Sequence, residues 1–522
     1  MPKTVVLLPL RLFPFSAVLL LSWGALAFGS EYSWAYAPLL VFSIVVGVLG
    51  RLASPNVRGP ARALGFTLAA IFVGGVLQLV PLSQRIIITV SPASVAADYG
   101  RLYAKVTMQP VEATMPLDGE ALRPVSIAPS RTVLGLTFLT AFAILLLGCA
   151  RGISAVGPRG IARGILVLGL LVALLELMQK ASGSDVAYGF WYPPQLKGYH
   201  SAPFINRNHT AGWLVMAWAL AAGYFGGCLA RGLPGVKPDW RHRLLWLSSP
   251  DASEALLTGL ALLVMATAVV VTVSRSGFLC LVSAIVLFAW WVVRRQASKS
   301  RRTIGAAYLV CVLLMGAAWG GVDAVMRRFQ VAQPDLGGRF ALWQDTSRII
   351  RDFPLTGTGL NTYGIAMLHY QMVQDGSQYI EAHNDYLQIG AEGGLLLGVP
   401  ILLALLFFIR EAWRRFREGA DDAATYWLRA GAVTGLCTIA IQEFSDFTLQ
   451  MPGAAALFVV LAAIAIHRPA HGARDSSAEP IRMEREAGST SGPAITPDLG
   501  EIDLDGVERH GANAFVRPRH HG

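Results

Sequence analysis

Several short segments of this sequence gather the residue types that hold anions and move protons. TVSRSGF (Thr272 to Phe278) sets Arg275 in a turn between two apolar runs, and GGRFALWQD (Gly337 to Asp345) sets Arg339 at the start of a helical pattern. EAHNDYLQ (Glu381 to Gln388) sets His383 beside Glu381, Asn384 and Asp385. FINRNHTAGW (Phe204 to Trp213) offers Asn206, Arg207, Asn208 and His209, and QEFSDF (Gln442 to Phe447) offers Glu443 and Asp446. A guanidinium keeps its charge at any accessible pH and binds phosphate oxygens through paired donors. An imidazole, with an unperturbed pKa near 6.5, takes a proton near neutrality. Together these types suit an anionic ligand and the deprotonation of something beside it.

Each segment also has a plainer reading. Arg275 at the mouth of a helix pair costs about 2.5 to 3.5 kcal/mol if it enters the apolar core, less if it snorkels, and Asp446 or Glu443 would be its partner. Asn208 can cap a helix. The glycines of TGTG, Gly357 and Gly359, follow Pro354 and force a tight turn; a lone GxG is weak evidence for a phosphate site. Between Arg339 and that turn, Phe340, Trp343, Ile350 and Phe353 fall at helical spacing. This predicts a short amphipathic helix lying on the membrane surface or packed on the rest of the chain.

Membrane spans must position these residues. Of 522 residues 54% are hydrophobic and 15% charged, far more apolar side chain than a soluble core of this length needs. Apolar blocks near 13–29, 34–50, 63–80, 132–149, 164–179, 210–229, 255–273, 277–293, 303–320, 395–410, 427–443 and 453–467 each suit one bilayer crossing. The first follows Lys3 and Arg11 like a signal peptide, but a second span comes at once, so an uncleaved anchor is expected. With the N-terminus inside, every inner loop is basic, from Arg51, Arg58 and Arg62 through RRQASKSRR (Arg294 to Arg302) to Arg410, Arg414, Arg415 and Arg417. The net charge of +10 is therefore a topology signal against anionic lipid, with no call for nucleic acid. The five cysteines fall in or at the ends of spans, which excludes a disulfide framework or zinc spacing and points to packing. The expected organisation is a helical bundle over 1–467, with outer loops at 81–131 and 321–394, and a disordered cytoplasmic tail over 468–522.

GRFALWQD, FPLTGTGLNTY and EAHNDYLQIGAEGG leading into LLLGVP, with the upstream SRSG turn and FINRNH, resemble the O-antigen ligase and polymerase family over roughly 200–455. The resemblance implies an all-α, GT-C-like bundle of about twelve transmembrane helices with a large periplasmic loop. It implies an inner-membrane glycosyltransferase that passes a glycan from undecaprenyl diphosphate to an acceptor on the periplasmic side, without nucleotide sugar, required metal or other cofactor. The family's catalytic positions fall on Arg275, Arg339 and His383. Arg275 and Arg339 would stabilise the diphosphate as the C1–O bond breaks. His383 would deprotonate the acceptor hydroxyl, in one displacement with inversion. Asn384, Asn206, Arg207, Asn208, Glu381 and Trp343 are the expected substrate-binding residues. A covalent glycosyl-enzyme on Glu381 or Asp385 is the competing mechanism.

The acceptor stays open at this level. A lipid A-core makes the chain a ligase, a growing surface polysaccharide or exopolysaccharide makes it a polymerase, and a serine or threonine makes it a protein O-oligosaccharyltransferase. A non-enzymatic flippase would use the same arginines, but transporters place charge near the midplane, and here the charge crowds the outer edge. A chain-length regulator, if one binds, would meet the 81–131 loop or the tail.

Overall fold

Where no water reaches the backbone, an apolar run satisfies its own N–H and C=O groups only by closing a helix or a barrel. Here the runs close helices. The structure is a computed structural model that describes residues 3–54, 62–96, 122–184, 186–191, 201, 203–232, 241, 248–295, 303, 332–372, 378–419 and 421–468. Along the chain these form α1 (Lys3–Leu26), α2 (Ser33–Leu52), α3 (Arg62–Leu77), α4 (Pro129–Val156), α5 (Arg159–Ser182) and α6 (Arg207–Gly232). There follow α7 (Pro250–Val271), α8 (Arg275–Arg295), α9 (Ala332–Asp352), α10 (Tyr363–Tyr370), α11 (Asp385–Glu418), α12 (Ala423–Gln442) and α13 (Pro452–Ile466). Proline opens α4, α7 and α13, where its missing N–H is an orphan donor anyway. Among the described residues there is no strand, only isolated bridges such as Leu82 with Arg123.

Helices stand at eleven of the twelve apolar blocks, and the block at 303–320 lies outside the described residues apart from Thr303. Among the described residues eight helices are long and apolar enough to cross a membrane, while Arg62–Leu77 and Pro452–Ile466 are shorter. The chain is an all-α, multi-pass membrane protein. The tail expected over 468–522 lies outside the described residues beyond Arg468.

Between lipid-solvated helices the hydrophobic effect gives little drive, so close backbone approach matters more. Small residues supply it. A Cβ at Gly148 of α4 would overlap the Gly47 carbonyl of α2, and one at Gly431 of α12 would meet the Ala219 carbonyl and Gly223 of α6. The central helix is α6, with Trp213 and Trp218 fully buried. By contrast α11 turns Leu395, Leu402, Leu405, Leu406 and Ile409 outward, as a lipid-facing helix should.

At the basic end, Arg429 is fully buried yet satisfied. It grips Asp421 with two donors at 2.8 and 2.9 Å, and it donates to the Ala465 and His467 carbonyls at the end of α13. Arg415 adds a bond to Ile466 O at 3.2 Å. These cations cap a helix C-terminus, the end where positive charge is favoured. Arg159 pairs with Asp422 at 2.8 Å at the same end.

The amphipathic helix of the large loop forms as α9, longer than expected at 21 residues. It packs on the bundle's own loop structure: Leu342, Ile349 and Phe353 are buried with Tyr363, Ala366, Met367, Ala382 and Ala391. The buried stripe differs from the one read in the sequence, because Phe340 is 60% exposed. Phe340 and Phe353 lie thirteen residues apart, about 140° around a helix at 100° per residue, so one face cannot hold both.

Candidate functional site

The sequence segments singled out for chemistry meet at the end of the bundle away from Arg429. Three of the helices that begin there, α6, α8 and α11, begin the same way. Ile205, Val273 and His383 take left-handed φ values of 63°, 55° and 49°. Each is followed by a capping residue. Asn206 Oδ1 accepts from the Asn208 amide at 2.9 Å, Ser274 Oγ from Gly277 at 3.1 Å, and Asn384 Oδ1 from Leu387 at 3.1 Å. The helices α6, α8 and α11 then start at Arg207, Arg275 and Asp385. The cap of α6 is thus Asn206, not Asn208, because the capping side chain must stand before the first helical residue. A β-branched residue with positive φ is a genuine outlier, costing about 1 to 3 kcal/mol, and such strain gathers at functional sites.

The turn that follows α12 ties these helix starts together. Its carbonyls accept from three directions: Glu443 O from the Asp385 amide at 3.1 Å, Phe444 O from Asn384 Nδ2 at 3.0 Å, and Ser445 O from Arg339 Nη1. Tyr386 reaches the Ala440 carbonyl at 2.6 Å. Gln442 donates to Asn208 O at 3.0 Å, and Asn208 Oδ1 accepts from Ser274 Oγ at 2.7 Å. Ser276, next to Arg275, donates to Asp446 at 3.2 Å. Phe447 stands edge to face against the His383 ring, with centroids 4.6 Å apart. Every candidate segment is therefore joined to residues 440–447, directly or through one neighbour.

Each expected residue can now be placed. Arg275 is the first residue of α8 and half-buried, and Arg339 is half-buried beside Ser445. His383 is half-buried on its strained backbone. Asn384 is buried, with both side-chain atoms bonded within the protein, and Trp343 donates to Ala382 O at 3.2 Å. Glu381 accepts from Gln388 Nε2 at 2.5 Å, and burial of its carboxyl pushes it up to about 8. Asn206, Arg207 and Asn208 form the start of α6, where Asn206 and Asn208 are engaged as cap and as acceptor for Ser274.

The carboxyl groups of this end are held toward their protonated forms. Burial raises Glu443 well above the usual carboxylate range, reinforced by the charges of Asp385 and Asp446. Burial also raises Asp446, against the opposing pull of Arg339.

The TGTG turn is a structural clasp. Asn361 and Tyr363 amides donate to Glu392 at 2.7 and 3.0 Å, Leu360 N to Gln78 Oε1 at 3.1 Å, and Gly359 N to Glu392 O at 3.0 Å. These amides are all spent on the protein itself. Gly357 and Gly359 need their positive φ of 64° and 112° to make the turn. The turn fills a break in α11 at Gly394, whose next two amides donate to Pro354 and Leu355 carbonyls at 2.9 and 2.8 Å. Among the described residues no group of three or more His, Cys, Asp or Glu side chains is arranged to hold a metal ion.

Sequence reasoning reached the segments but missed the connectors, namely Phe447, Gln442, Gln388 and Gln450. The last donates to Asp385 at 3.0 Å. For Gln442 and Gln450 the only sequence signal is polarity at the end of a span, in QEFSDFTLQ, and Gln388 closes the EAHNDYLQ segment.

The helices form a multi-pass bundle with a polar, arginine-bearing cluster at one end. Residues 260–402 match the domain model described as O-antigen ligase, in agreement with the resemblance that the motifs carry. Such a domain serves O-antigen ligase-type glycan transfer in the membrane. The match includes Arg275, Arg339 and His383 and stops short of both the 204–213 segment and the 440–447 turn. No curated protein matches the chain.

Proposed function

We propose that the chain transfers a glycan from undecaprenyl diphosphate to an acceptor hydroxyl at the periplasmic face of the inner membrane, as a ligase or polymerase of a surface polysaccharide. The observation that carries this reading is the meeting of three capped helix N-termini with Arg275, Arg339 and His383 at one end of the bundle. A helix N-terminus carries about half a positive charge and favours anions. Three of them with two guanidinium groups suit a diphosphate, the leaving group of a polyprenyl donor.

In the step proposed, the acceptor oxygen forms a bond to the anomeric carbon as the bond from that carbon to the diphosphate oxygen breaks, with inversion. The acceptor's proton passes to His383, and the electron pair leaves with the diphosphate, whose growing charge Arg275 and Arg339 offset. Glu381, held protonated near neutrality, is poorly placed to act as a nucleophile. Lipid A-core and a growing polysaccharide are the acceptors this reading favours.

The test uses the purified full chain in lipid nanodiscs with undecaprenyl-diphosphate glycan and each acceptor. Transfer without added nucleotide is expected, and His383→Ala should abolish it while the protein stays inserted. Translocation of the donor without any transfer would replace the enzyme with a flippase. A retained anomeric configuration in the product would remove the single displacement.

A further inference from the structure

His209 has no part in the chemistry above, yet its position is unusual. It lies in the first turn of α6, 2% exposed, and neither ring nitrogen has a hydrogen-bond partner among the described residues. Buried polar groups are nearly always paired, so such a side chain calls for a reason. Its neighbours supply one. The His209 ring meets Phe447 edge to face, with centroids 4.6 Å apart at 81°, and Phe447 meets His383 at 4.6 Å and 89°. The Phe447 amide donates to Asp446 Oδ1 at 3.0 Å, and His209 Nε2 stands 3.8 Å from the same oxygen. That separation exceeds a hydrogen bond, but a small shift of either group closes it.

We infer that His209 is a positioning residue for His383, holding the 446–447 turn so that Phe447 presents a fixed wall to the His383 ring. The inference rests on the proposed role of His383. His209 faces the turn twice, with its ring against Phe447 and with Nε2 toward Asp446, where a neutral imidazole protonated on Nε2 would donate. Edge-to-face contacts are directional, so a fixed Phe447 restricts the His383 ring to few orientations. At 2% exposure His209 itself is sealed from substrate. Its effect on the reaction passes through its neighbours.

The test compares His209→Ala, His209→Phe and His209→Gln in the full chain in nanodiscs, where the last two preserve bulk if the alanine variant folds poorly. The first readout is the rate of His383 carbethoxylation by diethyl pyrocarbonate, followed by peptide mass spectrometry. It needs neither donor nor acceptor, so it decides the inference even if the proposed function fails. His209→Ala should expose the ring and speed its modification severalfold, while His209→Phe, which keeps an aromatic contact with Phe447, stays within about twofold of wild type. The second readout is transfer kinetics: His209→Ala lowers kcat about tenfold or more with the donor KM within about twofold, and His209→Gln recovers part of the loss. An unchanged modification rate in His209→Ala overturns the inference, and so does a loss confined to KM.

Discussion

Replacing Arg339 with alanine isolates the charge that the site is proposed to supply to a leaving diphosphate. In the structure its Nη1 donates to the Ser445 carbonyl, and its charge opposes the upward push of burial on Asp446. Two losses follow from the deletion. Hydrogen bonds from charged groups contribute about 1.5 to 3 kcal/mol, and because Arg339 is half-buried the structural part belongs at the low end. The chemical part is larger: removing one preorganised donor from a developing oxyanion typically costs about 2.7 to 4 kcal/mol, or about 10² to 10³ in kcat. Arg339→Lys keeps the charge but not the planar fork, so a loss nearer tenfold, about 1.4 kcal/mol, is expected. The assay is initial-rate glycan transfer by purified protein in nanodiscs, normalised to the folded fraction from size exclusion. A kcat for Arg339→Ala within about threefold of wild type would show that Arg339 does not stabilise the leaving group, and a change in KM alone would move it from the transition state to ground-state binding.

Three other outcomes follow from the packing and the charges. Glu392→Ala should strip the acceptor from the Asn361 and Tyr363 amides and lower thermal stability, at about 1 to 3 kcal/mol per buried N–H left unmet; Glu392→Gln, which keeps one acceptor, should lose less. Gly148→Ala should reduce the folded yield, because its Cβ meets the Gly47 backbone, whereas Gly65→Ala, with open space around it, should match wild type. Glu381 has its carboxyl raised from 4.5 to about 8 in the folded protein, so its ionisation opposes folding. Stability should fall as pH rises from about 4.5 through about 8, and Glu381→Gln should flatten that slope in melting curves; parallel curves for the two proteins would exclude the effect.

The segments carrying Arg275, Arg339 and His383 were legible because each couples a chemically distinctive residue to a turn or helix signal. Asn384 was readable as a helix start for the same reason, since an Asn ahead of a helical pattern caps it locally. The apolar face of α9 was misread at Phe340 because four aromatic and aliphatic residues suggest more than one stripe, and only the partner surface selects between them. The sequence favoured a plain turn at TGTG over a phosphate cradle, without naming what the turn closes on. A glycine turn can cradle a phosphate or close on itself, and the choice was made by Glu392 and Gln78, 33 and 281 residues from Gly359 by number.

The residue pattern alone is enough to show an all-helical membrane protein and to place most of its long helices. Apolar runs of bilayer length leave the backbone no alternative, and basic loops between them add a direction. That the turn after α12 is the hub of the site follows from the packing of the helices. The turn holds Arg339, Asn384 and Tyr386 through backbone carbonyls of residues 440–445, which every residue type carries alike, and sets one Phe447 ring between two histidines. Nothing in the residue types marks such a carbonyl as a partner for Arg339 or Asn384, because its direction is set by where α12 ends and how α6 and α11 pack beside it.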